Sequence, residues 1–313
     1  VWSDLVSHLD APEERLFWPY LVSALGLALV GAAAGRVSLS RDVFTRAIWW
    51  HPSARADYVF FLIRAVLSAL VIAPLLVSST VVAVKVVLLL AGLFGEPPVW
   101  PLGPWGTTAL YTALLFVFAD GSRWLLHKWM HDVDWLWRFH QVHHSAEVMT
   151  PVTLYRTHPV EGLLGALRGI FVTGVVGGVV AYLTRGQAVP AEVLGVNAVA
   201  FALNLAGANL RHSHVWLPFG PLERVLLSPA QHQLHHDRAT GGLDVNYGAF
   251  LALWDRLAGT WVPAVQRPEA FGLEPSGLNH APRRAWSLLF GPLRRRPGAA
   301  SEGEPTATHT RPV

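Results

Sequence analysis

Apolar residues run along this chain in long blocks rather than in strict alternation, and the blocks predict helices. Phe17 to Ala34 is almost uncharged, with Trp18 and Tyr20 at its start and Arg36 just past its end. A hydrocarbon core of about 30 Å needs about 20 helical residues, so this stretch predicts a first membrane crossing. The next loop carries Arg36, Arg41, Arg46 and Arg55 with Trp49 and Trp50, a basic and aromatic belt expected on the cytoplasmic face. Tyr58 to Phe94 is mostly apolar and reads as one kinked traverse or as a tight hairpin around Pro74 to Thr80. The following loop, Gly95 to Gly106, has no Lys or Arg and reads as external, which favours a net single traverse with an interfacial or re-entrant portion. Thr107 to Ala119 is apolar again, and its helical pattern continues through Asp120 to His131, lifting the histidines beyond the membrane.

Val160 to Leu183 and Val189 to Leu210 flank a turn around Gly186 and Pro190 and predict an out-and-back hairpin. Cytoplasmic structure is expected from Arg211 onward, in keeping with Arg283, Arg284 and Arg294 to Arg296. The tail from Pro297 is rich in Gly, Ala, Pro, Thr and Glu and reads as disordered. The chain thus divides into N-terminal membrane helices (1–106), a second region (107–262) that includes a membrane hairpin (160–210), and a C-terminal extension (263–313).

Composition supports the membrane reading. Of 313 residues, 52% are hydrophobic and 14% charged, against about a quarter charged in a soluble domain. A net charge of +3 excludes nucleic acid as a partner class. Acidic residues at Asp4, Asp10, Glu13 and Glu14 argue against a signal peptide. Lys occurs only at Lys85 and Lys128 beside abundant Arg, Ala, Gly and Pro, a usage expected of a GC-rich bacterium and hence of an inner membrane. With no Cys, thiolate metal sites, iron–sulfur clusters and thiol nucleophiles are excluded.

Histidine is the exception to this plain composition, since 15 are present and most fall into four clusters. His127 and His131 are an i,i+4 pair on one helix face; His140, His143 and His144 form an HxxHH box; His212 and His214 lie two apart; His232, His235 and His236 repeat the HxxHH spacing. So many imidazoles exceed what one ion accepts, so converging boxes predict a dinuclear centre. The apolar hairpin between His144 and His212 starts and ends on one face, so all clusters share a compartment. Imidazole suits iron, zinc, copper and nickel alike. The expected fold is all-α: an integral membrane helical bundle with a cytoplasmic histidine-rich di-metal cap.

The residues around these boxes resemble the fatty acid hydroxylase and sterol desaturase superfamily of membrane di-iron enzymes. The matching stretches are Asp120 before the first box, Leu136 to His140 leading into His143-His144-Ser145, and Arg156-Thr157-His158-Pro159-Val160-Glu161. They continue through Asn209 to His214, Ser228-Pro229 ahead of the last box, Asn246-Tyr247-Gly248, and Trp254-Asp255-Arg256-Leu257. The resemblance implies that 107–262 is the catalytic domain, holding two iron ions, with zinc as a substitute in purified protein. It further implies O2 as oxidant, an external electron donor, and hydroxylation or desaturation of a C–H bond of a lipid, such as a sterol or fatty acyl chain, drawn from the bilayer.

The ligands it implies are His127, His131, His140, His143, His144, His212, His232, His235 and His236, with His214 a further candidate. His158 reads as a ligand, as a support of the ligands, or as a helix-start residue. Asp120, two turns before His127, reads as orienting an imidazole or as a solvated membrane-exit residue; Glu161, Asp237 and Asn246 are candidate supports of the ligands, and Asp255 is expected to tie down the end of the domain. Without a dinucleotide fold or Cys cluster, electrons are expected from a separate ferredoxin, cytochrome or reductase. The competing class is a non-redox membrane protein that binds or transports metal or haem; transport is disfavoured because the boxes lie beyond the apolar stretches.

Overall fold

The computed structural model describes residues 8–97, 100–238, 244–273 and 281–293. The tail from Pro297, Arg294 to Arg296, His280 and His309 lie outside the described residues.

The fold is mainly helical. Helix α1 (Trp18–Ala33) fills the first apolar block. The second block divides into α2 (Pro52–Leu67) and α3 (Ser79–Phe94), separated by a π turn and a tight turn that holds Pro74. Proline removes a helical donor and clashes with the preceding turn, which is why the block breaks there. Helix α4 (Pro104–Asp132) is 29 residues long, roughly 43 Å at the helical rise, so His127 lies about 35 Å from its start and beyond the thickness of a bilayer core. Helix α5 (Asp134–His144) follows after one extended residue, Val133, and α6 (Pro159–Leu183) is the second membrane-length helix. Only α4 and α6, among the described residues, are long and apolar enough to cross a membrane alone.

The return arm differs from the expected hairpin. Residues 189–210 do not form one spanning helix. A two-residue ribbon, β1 (Glu192–Val193) with β2 (Val196–Asn197), precedes the eight-residue helix α7 (Ala198–Leu205). The turn between the strands puts Leu194 and Gly195 at positive φ, and Gly207 at φ 100° ends the arm ahead of a 3-10 turn over Ala208–His212. The return from beside Thr112 to the cap is therefore made by a short ribbon, an eight-residue helix and a 3-10 turn rather than by one membrane-length helix.

Helices α3 and α6 approach closely because α6 presents small residues one turn apart. A Cβ on Gly174 would stand 2.5 Å from Val82 Cβ, and one on Gly178 would stand 2.7 Å from the Ala83 carbonyl oxygen. This is the small-xxx-small contact of membrane helices. On its other faces α3 exposes Val81, Val84, Leu88, Leu89 and Leu93, and α1 exposes Val22, Leu25, Leu29 and Val30. Such contiguous apolar surface suits hydrocarbon rather than water.

The cap is organised by a buried arginine. Arg156 is fully buried and donates to Asp57 Oδ1 at 2.5 Å, to the Val142 carbonyl at 2.8 Å, to Ser145 Oγ at 2.8 Å and to the Pro282 carbonyl at 2.6 Å. These bonds join α2, the end of α5 and the C-terminal segment. Asp57 also accepts from Thr153 Oγ1 at 2.9 Å. Helix α2 thus belongs to the cap, whereas α3 lies along α6. Three short helices complete the cap: α8 (Pro229–His235), α9 (Leu253–Ala258) and α10 (Ala285–Phe290).

Candidate metal centre

The clusters converge although they lie far apart in sequence. His127 and His131 project from one face of α4, just past its membrane-length part. His140, His143 and His144 occupy the last turn of α5, where Ser145 ends the helix. His212 ends the 3-10 turn after α7, and α8 carries His232 and His235 with His236 at its C-cap. Helix α8 is fixed by a capping box in which Ser228 Oγ accepts from Gln231 N and Gln231 Oε1 accepts from Ser228 N.

Nine imidazoles fall into two groups: His127, His131, His140, His144 and His235, and His143, His212, His232 and His236. Within each group the ligand atoms lie within 4.8 Å of one another. The groups adjoin, since the His144 and His236 rings stack at 4.4 Å and the His143 and His236 rings are 4.7 Å apart. The Nε2–Nε2 separations are 3.1 Å for His235–His127 and His212–His143, and 3.2 Å for His144–His140 and His232–His212. Nitrogens about 2.1 Å from a shared ion stand about 3.0–3.4 Å apart at octahedral or tetrahedral positions.

Tautomers give an independent test of fit. His127 Nδ1 donates to the Tyr247 carbonyl at 2.7 Å and His235 Nδ1 donates to the Val245 carbonyl at 2.8 Å. Both Nε2 atoms therefore carry lone pairs, yet they face each other at 3.1 Å. Two acceptors cannot bond each other; a cation between them resolves the conflict. Protonation does not resolve it, because burial and neighbouring imidazoles hold His235 well below the usual histidine range. Burial likewise takes His140 and His143 down to about 3, and His144, His212, His232 and His236 lie well below their usual range. Neutral imidazole is the form that binds metal. His131 Nε2 is buried without a hydrogen-bond partner. The residues present fit a pair of metal ions.

His214 is not in either group. Its Nε2 accepts from Met149 N at 3.1 Å, and its ring lies edge-on to Phe271. The 3-10 turn ends at His212 and Ser213 is extended, so His214 leaves the helical path of His212 and its ring is placed against Phe271 instead. His158 is also apart. Its Nδ1 accepts from Val160 N at 3.2 Å and its Nε2 donates to the Leu289 carbonyl at 3.0 Å, which occupies both nitrogens and caps α6. His51 before Pro52 caps α2 in the same way through Ser53 N at 3.2 Å, so the His-Pro dipeptide marks a helix start twice in this chain.

Asp120 faces the cap, where its oxygens accept from Phe250 N, Leu251 N and Trp254 Nε1, each at 3.0 Å, rather than from an imidazole. Glu161 Oε1 meets His140 Nδ1 at 3.1 Å and fixes that ring. Asp237 is buried beside His236, with a backbone bridge to Phe271. Asn246 is fully buried at φ 53°, between the two residues whose carbonyls orient His127 and His235. Its Nδ2 donates to the Val262 carbonyl at 3.0 Å and the Gln231 carbonyl at 3.3 Å, and its Oδ1 accepts from Val262 N at 2.9 Å. Asp255 secures the same loop, accepting from Tyr247 N at 2.9 Å and Gly248 N at 2.8 Å.

A cavity of about 600 Å³ opens onto both groups, with His127 and His140 from one and His143, His212 and His232 from the other in its wall. Sequence reasoning gave none of its arginines, Arg15, Arg64, Arg123, Arg168 and Arg211, a place in the site. Nor did it identify Asp57 as the partner of Arg156, because a pairing across 99 positions leaves no local signal.

Two membrane-length helices beneath a buried, two-part histidine cluster point to a class of membrane-associated protein whose histidines could hold metal beside a cavity. Residues 112–260 match the family model described as Fatty acid hydroxylase, and this match with the relatives below supports the resemblance to the fatty acid hydroxylase and sterol desaturase superfamily. The chain is 30% identical over 160 residues to alkylglycerol monooxygenase of Danio rerio, covering 51% of this chain and 32% of that protein. It is 29% identical over 165 residues to ornithine lipid hydroxylase OlsE of Rhizobium tropici, covering 53% and 44%. It is 26% identical over 162 residues to sphinganine C4-monooxygenase 1 of Arabidopsis thaliana, covering 50% and 56%. The match thus spans from about a third to just over half of these relatives. No solved structure matches the chain significantly.

Proposed function

We propose that the protein is a membrane-embedded, O2-dependent oxidoreductase that hydroxylates or desaturates a C–H bond of a lipid at a di-iron centre. The nine grouped imidazoles would hold the metal. The observation that carries this reading is one cavity with members of both histidine groups in its wall. Bound iron supplies the reduction of O2 and the oxidation of the C–H bond. For hydroxylation, one O2, one C–H bond, two electrons and two protons give one C–OH and one water. The electrons come from a separate ferredoxin, cytochrome or reductase.

The chain's own residues position and desolvate. The Tyr247 and Val245 carbonyls and Glu161 fix His127, His235 and His140 with Nε2 turned inward. The cap excludes water from the histidines, and the apolar flanks of the helices let a lipid approach from the bilayer. The basic residues near the boxes, Arg123, Lys128 and Arg138, favour a cytoplasmic position at a bacterial inner membrane.

Metal analysis of the purified, reduced protein, with O2 uptake and mass analysis of lipid products, tests the reading. About two iron ions per chain and an oxygenated or desaturated lipid are expected. Replacing His143 and His235 together by Ala removes both; retention of metal and product in that double variant would falsify the site. Bound metal with no O2-dependent lipid product favours the non-redox metal-binding class instead.

A further inference from the structure

The cavity beside the histidines is far more basic than a site for a neutral lipid requires. Five arginines line it, against Glu13, Glu14 and Glu161. Two of these acids are already engaged: Glu14 accepts from Tyr155 Oη at 2.8 Å and Glu161 holds His140. Asp120, whose charge acts on Arg15, Arg123, Arg168 and Arg211, already accepts from three donors.

Arg211 is only 8% exposed, and its Nε is buried without a partner. Its guanidinium makes no hydrogen bond or ion pair among the described residues; it lies 5.0 Å over the Phe250 ring, with Arg15 at 5.2 Å from the same ring. Arg123 also makes no hydrogen bond among the described residues, and Arg168 spends one nitrogen on the Ala119 carbonyl and Ser122 Oγ. Burial and mutual repulsion push Arg211 down to about 9 and Arg15 down to about 10. A guanidinium has five donors and stays charged in proteins. Arg15 gives one nitrogen to Asn204 Oδ1. Several such groups around one cavity, with donors to spare and more guanidiniums than carboxylates in the wall, form a seat for an anion.

The seat adjoins the histidines. Arg211 precedes His212, Arg123 stands one helical turn before His127, about 6 Å along the axis, and Arg168 lies two turns past Glu161. We propose that the cavity binds a polar lipid by an anionic phosphate or carboxylate in its head, held by Arg211, Arg123, Arg15 and Arg168. The C–H bond presented to the histidines then lies within a few bonds of that anion. This assignment rests on the lipid-oxidising reading above and adds the class of lipid.

The test uses the full-length, metal-loaded protein in nonionic detergent and reads binding separately from turnover. The probes are dioleoyl phosphatidic acid against dioleoylglycerol, and N-oleoylglycine against its methyl ester, followed by tryptophan quenching with brominated acyl chains. The anionic member of each pair binds about tenfold or more tightly. That advantage collapses in Arg211→Gln and Arg123→Gln and persists in Arg36→Gln, whose side chain is outside the cavity. Metal content reports whether each variant is folded; Arg123→Gln, on a side chain without a hydrogen bond to lose, carries the test should Arg211→Gln not fold. Equal affinity within each pair, or an advantage unchanged in both cavity variants, overturns the proposal. Inorganic phosphate binding as tightly as phosphatidic acid assigns the seat to a free anion and overturns the lipid assignment. Arginine-dependent binding without any O2-dependent product sustains this inference and refutes the oxidising one; oxidation of neutral and anionic lipids alike does the reverse.

Discussion

Asn246 is the most informative single position, because it carries no ligand atom yet stands between two carbonyls that aim ligands. Replacing it with Ala removes three buried hydrogen bonds, to the Gln231 and Val262 carbonyls and from Val262 N. At about 1 kcal/mol each these amount to about 3 kcal/mol. Alanine at φ 53° adds about 1–2 kcal/mol of left-handed strain. The expected loss is about 4–5 kcal/mol of stability if the loop holds its shape. If the loop relaxes instead, the Val245 and Tyr247 carbonyls turn away from His235 and His127, and metal affinity falls about 10- to 100-fold. Asn246→Gly separates the two effects, since it loses the same hydrogen bonds without the strain. Thermal unfolding in detergent and metal retention against a graded chelator measure both quantities. Wild-type stability together with wild-type metal retention in Asn246→Ala would refute the positioning role.

Further outcomes follow from the same geometry. His212→Ala lowers metal content, whereas His214→Ala keeps it and loosens only the Met149 contact; equal metal loss in both refutes the grouping. Asp57→Asn strips Arg156 of its buried counter-charge and costs about 3–5 kcal/mol in thermal unfolding, while Asp57→Leu combined with Arg156→Met recovers part of that loss. Gly178→Val drives a side chain into the Ala83 carbonyl and Val86 and destabilises the helix pair by about 1–3 kcal/mol, whereas Gly169→Ala, which meets nothing within 4 Å, does not. Because the chain has no native Cys, Trp135→Cys gives a single exposed thiol beside the boxes; labelling from the cytoplasmic side only is expected, and labelling from the opposite side reverses the orientation.

Periodic and compositional signals were legible in the chain, since they are repeated over many residues. The apolar blocks at 17–34, 107–119 and 160–183 gave helices, and the HxxxH and HxxHH spacings put imidazoles on common faces before any contact was known. Signals that depend on one residue's partner were not. His158 and His214 looked like candidates by neighbourhood, but each spends ring nitrogens on backbone groups. Asp120 lies on the right face of α4 for His127, yet its oxygens turn to the 250–254 segment. The arm at 189–210 has the hydropathy of a crossing, but the turn at Leu194-Gly195 and the break at Gly207 decide its path.

By itself the sequence determined a histidine-boxed, cysteine-free, membrane-borne helical protein, because hydropathy and ligand type are properties of residues. Only the tertiary structure decided which nine imidazoles share two groups, which carbonyls fix their tautomers, and that the same cavity gathers arginines from the N-terminal segment, α2, α4, α6 and the turn before His212. Those are distances between residues far apart in the chain. No spacing rule encodes them, and they are set by where long helices cross and by a buried Arg156–Asp57 pair that draws the cap together.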